Sequence, residues 1–340
     1  MDADERAFFA PQSGKWVQVR GNDARIIRTG QVRPSTSSPA KPLYTAAPLD
    51  LTDIPGAMQK MRWHVAAALL NNWFHYRPKN AAQNLTMKIH GFTADRSLRY
   101  PDDRINRSTV TLDWILSFPR AAAVFEELQG QILNTFESIK SLRSVLSKYS
   151  KEGTRRVDAL ALCGDDVQRL HNSFQFQMLP VDTSALSKAD VFFKAMFLHH
   201  GVPDDLAGAL GGFGLYAAVA EATFSTTLVG RVMAEVSKVA LYMKNPYSFY
   251  DDPSSGSQYL GHWNKDGILL VPEGYAAQRA HAGAWSSYPV QPEGPYGRTF
   301  WPVHNADFRE WQDEHNAGGD MILFSDYLVV KLRSPLKFSI

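Results

Sequence analysis

The chain has 340 residues, 44% of them hydrophobic, enough to bury a sizeable core as two domains or one large one, and this excludes disorder throughout. Lys and Arg total 36 against 34 for Asp and Glu. Neither sign forms a long block, so no nucleic acid partner is expected, because phosphate binding needs a concentrated basic face. Cys163 is the only cysteine, which excludes an intramolecular disulfide and a zinc site of the cysteine type.

The amino terminus, Met1-Asp-Ala-Asp-Glu-Arg6, is acidic where a secretory signal would be basic, and no apolar run follows at once. The expectation is a chain made and folded in a reducing cytoplasm, without a signal peptide. Residues 1–56 read as a flexible arm, with the Pro- and Ser-rich stretch Arg33 to Pro42 as a linker. Residues 57–152 read as a helical region. A first helix is predicted over Ala57 to Phe74, where Ala66, Leu69, Leu70, Trp73 and Phe74 share a face, and Pro78 ends it. A longer one follows Pro119, a first-turn residue, with Phe125, Leu128, Ile132, Phe136, Ile139, Leu142 and Leu146 at helical spacing.

After Gly153 the hydrophobic period changes to two, and residues 153–340 read as a β-rich domain carrying the functional surface. Strands are predicted at Phe174–Met178, Leu215–Val219, Glu221–Met233, Glu235–Tyr242, Gly267–Val271 and Met321–Leu332, the last apolar on both sides and so central. Leu206 to Phe224 reaches membrane-spanning length, but the alternation of Phe213, Leu215, Ala217 and Val219 reads as a buried strand, and no transmembrane segment is expected. The fold class is therefore α+β: a helical N-terminal region followed by a mainly antiparallel, β-rich C-terminal domain.

Several motifs invite chemistry and have plainer explanations. The glycines from Gly208 to Gly214 lack the spacing of a dinucleotide or phosphate loop and read as a helix stop. His199-His200 has no ligand partner one helical turn on. The scattered His64, His75, His90 and His171 could meet only through the fold. Cys163, in Leu160-Ala-Leu-Cys163, reads as a buried inert thiol.

Two segments are richer. Between Tyr247 and Trp263, aromatic, acidic and imidazole groups fill a turn-rich link. There His262 could transfer a proton, Asp251 could orient it or hold a divalent cation, and Tyr247, Tyr259 and Trp263 could bind a ligand. Turn chemistry, with Tyr259 and Trp263 packed beneath the loop, explains the same residues structurally. From His304 to Tyr327 a helix, a glycine stop at Gly318-Gly319 and a strand are legible. Capping explains Asp307, whereas Asp320 and Asp326 flank an apolar strand and need partners, Arg309 being one candidate. If the two segments meet, Asp251, His262, His304, Arg309 and Asp320 form one cleft, with a histidine as acid or base and Arg309 stabilising negative charge. Helix caps and an ion pair are the structural alternative.

The motifs Asp204-Asp-Leu-Ala-Gly-Ala-Leu-Gly-Gly-Phe213, Gln258-Tyr-Leu-Gly-His-Trp263, Asn305-Ala-Asp-Phe-Arg-Glu-Trp311 and Gly318-Gly-Asp-Met-Ile-Leu-Phe-Ser-Asp326 resemble an uncharacterised bacterial family. The likeness runs from about Met61 to Leu332, including Trp63, Trp73-Phe74 and Leu112 to Arg120. Members of that family often lie beside genes for type VI secretion spike and PAAR-repeat proteins. The resemblance implies an interbacterial effector, with a spike or PAAR-repeat protein and a cognate immunity protein as partners, and delivery from the producer's cytoplasm into a target cell. It equally accommodates an adaptor, chaperone or immunity protein. A weaker similarity connects the chain to colicin M-like toxins, which carry an Asp-x-Tyr-Asp motif followed by His-Arg. Here the matching run is Asn245-Pro-Tyr247-Ser248, so only Tyr247 corresponds, and the resemblance fixes no reaction.

Overall fold

The computed structural model of the chain describes residues 16–19, 26–27, 49–76, 100–182, 203–251, 256–269, 289–292 and 299–340. The linker at Arg33 to Pro42, Pro78, His90, His199-His200 and the strand residues beyond Leu269 lie outside them. The chain groups into two compact units, each assembled from three segments: residues 1–80, 186–209 and 249–319, and residues 81–185, 210–248 and 320–340. Its class is α+β, with helices mainly in the first half and a largely antiparallel, β-rich second half.

In the first unit, α1 (Ile54–Lys60) begins with Pro55 in its first turn, and α2 (His64–His75) buries Ala66, Ala67, Leu69, Leu70, Trp73 and Phe74. The single helix expected over Ala57 to Phe74 is therefore two. The break falls at Arg62, whose φ of 64° lies in the left-handed region, where a helix cannot continue. The backbone N–H groups of Val65 and Ala66, in the first turn of α2, donate to the carboxylate of Asp205 at 3.1 and 2.9 Å, a cap supplied from far along the chain. Burial raises the pKa of that carboxyl group against the lowering effect of these bonds.

The core of this unit is aromatic. Trp73 is fully buried and meets Phe74, Phe249, Phe308 and Trp311, while Phe249 and Phe308 stack at 3.8 Å and 5°. Gly318 (φ 87°) passes so close that a Cβ there would lie 2.7 Å from the Trp73 ring, and Gly319 N–H donates to the Trp73 carbonyl at 2.9 Å. Two small sheets complete the unit. One pairs β1 (Trp16–Val19) with β2 (Ile26–Ile27) and β10 (Val290–Pro292); the other pairs β8 (Tyr259–Asn264) with β9 (Gly267–Leu269) and β11 (Trp301–His304).

In the second unit, α3 (Leu112–Leu116) is capped by Thr111, and α4 (Pro119–Gln129) starts at the expected proline. The continuous helix expected after Pro119 stops at Gly130 and resumes as α5 (Phe136–Lys151), capped by the Thr135 hydroxyl. Next come α6 (Ala159–Cys163) and α7 (Val167–Phe174), the latter capped by Asp166. The short α8 (Asp205–Leu210), of which all but the last residue belongs to the first unit, ends at Gly211 (φ 57°), the expected helix stop, and a strand follows.

The large sheet runs β3 (Ile105–Asn106), β12 (Met321–Phe324), β7 (Val232–Tyr247), β6 (Phe213–Thr226), β4 (Arg156–Asp158), with β13 (Leu328–Ser339) also on β7 and β5 (Gln175–Val181) also on β6. All its pairings are antiparallel except β3 with β12. The strand expected over Glu221 to Met233 is in fact a hairpin: Thr227 to Arg231 turn with Gly230 at φ 77°, and β6 returns as β7. The strand expected over Met321 to Leu332 is two. Ser325 breaks it by bonding with both backbone groups of Met243, while Asp326 accepts from Leu112 N–H at 2.7 Å. Its first part, β12, lies inside the sheet and is buried on both faces.

Candidate functional site

β8 is the middle strand of its sheet, and α9 (Asn305–His315) is the helix that leaves its neighbour β11. His262 is fully buried, and its Nδ1 shares a hydrogen bond with the Tyr259 hydroxyl. The register sets His304 opposite Tyr259, their rings 5.5 Å apart. His304 is also the residue before α9: its N–H donates to Asp307 Oδ2 at 2.7 Å, completing a capping box, and its Nδ1 lies 3.7 Å from the same oxygen. The His304 side chain is 19% exposed, so it alone of the Tyr259, His262 and His304 group combines a polar neighbour with solvent access.

The loop and the carboxyl-terminal block meet within this unit through structural bonds. Asp251 Oδ1 accepts from Gln258 N–H at 2.9 Å and Asn305 Nδ2 at 2.7 Å. Asn305 N–H donates to the Gln258 carbonyl, and Ala306 N–H to Ser257 Oγ. Arg309 Nε donates to the Phe249 carbonyl at 3.1 Å, and its terminal nitrogen to Gln312 Oε1. Trp263 donates its indole N–H to the Leu260 carbonyl and meets the Trp63 ring edge-on. Asp251, His262, His304, Arg309, Tyr259 and Trp263 thus belong to one unit, whereas Tyr247 and Asp320 belong to the other. There Tyr247 pairs with Met321 at the end of β7, and burial pushes its hydroxyl pKa up. Asp320 is fully buried and accepts from Ser248 Oγ at 2.6 Å, a partner that neither motif announces.

A second polar group lies in the large sheet, outside the sequence-derived site. Lys244, 4% exposed, donates from Nζ to His171 Nε2 at 3.2 Å and lies 5.6 Å from the centre of the Tyr100 ring. His171 Nδ1 is 2.9 Å from the Tyr242 hydroxyl, and Tyr216 stacks on Tyr242 at 5.9 Å. With Lys244 protonated, Nε2 accepts and Nδ1–H donates to Tyr242. Desolvation lowers the Lys244 pKa to about 8 and raises that of Tyr216 to about 12. The pattern was available to inspection: Val167, Leu170, His171 and Phe174 share the inward face of α7, and Lys244 follows Tyr242 by two residues in an apolar strand. Cys163 is buried, and burial raises its pKa as expected of an inert thiol.

Among the described residues no three His, Cys, Asp or Glu side chains gather as a metal-holding group, and no helix is long and apolar enough to cross a membrane. No curated protein and no solved structure matches the chain. A family model described as a family of unknown function, DUF6402, matches residues 49–340, and the chain belongs to that family.

Proposed function

We propose that the chain is a type VI secretion-associated antibacterial effector acting on the cell envelope of a competitor, with its working site at Tyr259, His262 and His304. The observation that carries this reading is His304, partly exposed, beside Asp307 and against the Tyr259 ring, whose hydroxyl bonds buried His262. A histidine with one edge open and a carboxylate nearby can serve as the proton donor or acceptor that general acid–base chemistry requires. The setting comes from the family resemblance, which implies a spike or PAAR-repeat protein and a cognate immunity protein as partners, and synthesis in the producer's cytoplasm before delivery. The weaker colicin M likeness motivates the envelope as target.

A non-enzymatic adaptor or immunity protein is the second reading. It is favoured by Asp251 and Arg309, whose polar atoms hold the loop backbone and Asn305. Expression in the cytoplasm or periplasm of a test bacterium separates the two. Growth arrest in one compartment, abolished by His304→Ala at an unchanged unfolding temperature, supports the effector. Normal growth in both compartments with folded protein, and stable co-purification with a neighbouring toxin or spike component, supports the adaptor.

A further inference from the structure

Lys244 belongs to a different unit from the site proposed above and calls for its own explanation. A lysine this deeply buried is ordinarily paired with a carboxylate, because an unpaired ammonium is costly to desolvate. Here the partners of Nζ are an imidazole nitrogen at 3.2 Å and the face of Tyr100. Desolvation lowers its pKa, and among the described residues no carboxylate contributes. The strand register explains how the side chain is accommodated. Lys244 lies between Gly214 on β6, which brings no side chain, and Phe324 on β12. The Tyr216 ring turns back over Gly214, where a Cβ would fall 2.7 Å from it. His171 is held in turn by Tyr242 and by edge-on contact with Tyr216. Its helix is tied to Tyr100 by Gln168, whose Oε1 accepts the Tyr100 N–H at 2.9 Å.

We propose that Lys244 is a carbonyl-capturing amine that forms an imine with a small, uncharged aldehyde or ketone, with His171 as proton carrier and Tyr242 as the residue that positions it. A desolvated lysine beside a neutral base is the usual way to present an amine nucleophile. The rings around Lys244 and His171, those of Tyr100, Tyr216, Tyr242 and Phe324, are aromatic and suit an apolar carbonyl compound. A substrate bearing a carboxylate would instead pair with the ammonium and hold it protonated. In the reaction the Nζ lone pair attacks the carbonyl carbon, and the C–N bond forms as the C=O π electrons move to oxygen. Both N–H protons of the amine pass through His171 to that oxygen, which leaves as water. Amine plus carbonyl gives imine plus water, with no change of oxidation state.

The test uses the full chain, acetaldehyde as the probe, sodium borohydride to reduce the imine, and peptide mapping by mass spectrometry. At neutral pH the folded protein should carry the ethyl label on Lys244 on the order of tenfold more than on an exposed lysine such as Lys337, because more of its amine is unprotonated. Lys244→Arg should lose this label and no other. His171→Gln should slow labelling about tenfold at an unchanged unfolding temperature, the usual scale for a lost proton carrier being tenfold or more. Should that variant fail to fold, Tyr242→Phe should slow labelling several-fold. The proposal is overturned if folded wild-type Lys244 labels no faster than Lys337, or if a folded His171→Gln chain labels at the wild-type rate.

Discussion

Lys244→Met removes a buried ammonium while keeping a stem of similar length, so it isolates the cost of the charge. Burial lowers the pKa from the ordinary 10.5 to about 8. Each unit corresponds to about 1.4 kcal/mol, so charging this amine costs the folded state roughly 3 kcal/mol. Below about pH 8 the lysine is protonated in both folded and unfolded chains, and the folded state bears the whole cost. Between there and 10.5 the unfolded chain holds a proton that the folded chain has shed, so wild-type stability rises with pH and the cost fades. The variant loses the hydrogen bond to His171, worth about 1 kcal/mol. It should therefore be more stable than wild type by about 2 kcal/mol at neutral pH, and the gap should close by about that amount by pH 9.5. Urea unfolding of both chains across this range measures it. A difference that does not change with pH would mean that the amine keeps its ordinary pKa and that burial is not what sets its protonation.

Gly318→Ala must adopt a positive φ and meet the Trp73 ring, so unfolding should become easier by about 2 kcal/mol or more, read from the urea midpoint. Glu221 accepts from Arg156, Ser237 and Lys238, and these bonds lower its pKa to about 2. Its contribution is therefore complete above the ordinary value of 4.5 and is lost as the pH falls towards 2. Because the pair is screened by solvent, Glu221→Gln should cost less than about 1 kcal/mol near neutrality and nothing in strong acid. Iodoacetamide should leave Cys163 unmodified in the folded chain and react fully in denaturant; rapid native labelling would contradict its burial.

The class of the fold was legible because it rests on local period. Trp73 and Phe74 share the face that α2 buries, and the alternation through Leu215, Ala217 and Val219 belongs to a strand buried on both sides. The element ends were less legible, because single residues set them. Arg62 takes a left-handed conformation that its side chain does not advertise, and Ser325 breaks an apolar run by bonding to a strand more than 80 positions away in sequence. Gly130 and Thr135, a stop and a cap in the middle of one helical period, were readable in principle; the unbroken spacing of Phe125 through Leu146 outweighed them.

The candidate chemistry depends on pairing register, and composition does not encode register. Tyr259 and His262 are three residues apart, yet His304 joins them only because β11 sets it opposite Tyr259. Lys244 reaches His171 across 73 positions because the β6–β7 pairing places a glycine beside it and α7 turns its imidazole inward. Asp251, which the sequence offers as an orienting or cation-holding carboxylate, also accepts the Gln258 N–H and the Asn305 amide and so ties its loop to the helix that follows β11. Lys244, two residues past the strand predicted at Glu235–Tyr242, is a buried charge in want of a chemical reason. In a chain whose strongest motifs are caps, turns and aromatic packing, the informative residues are the polar ones that the fold buries at a cost, and Lys244 is the clearest of them.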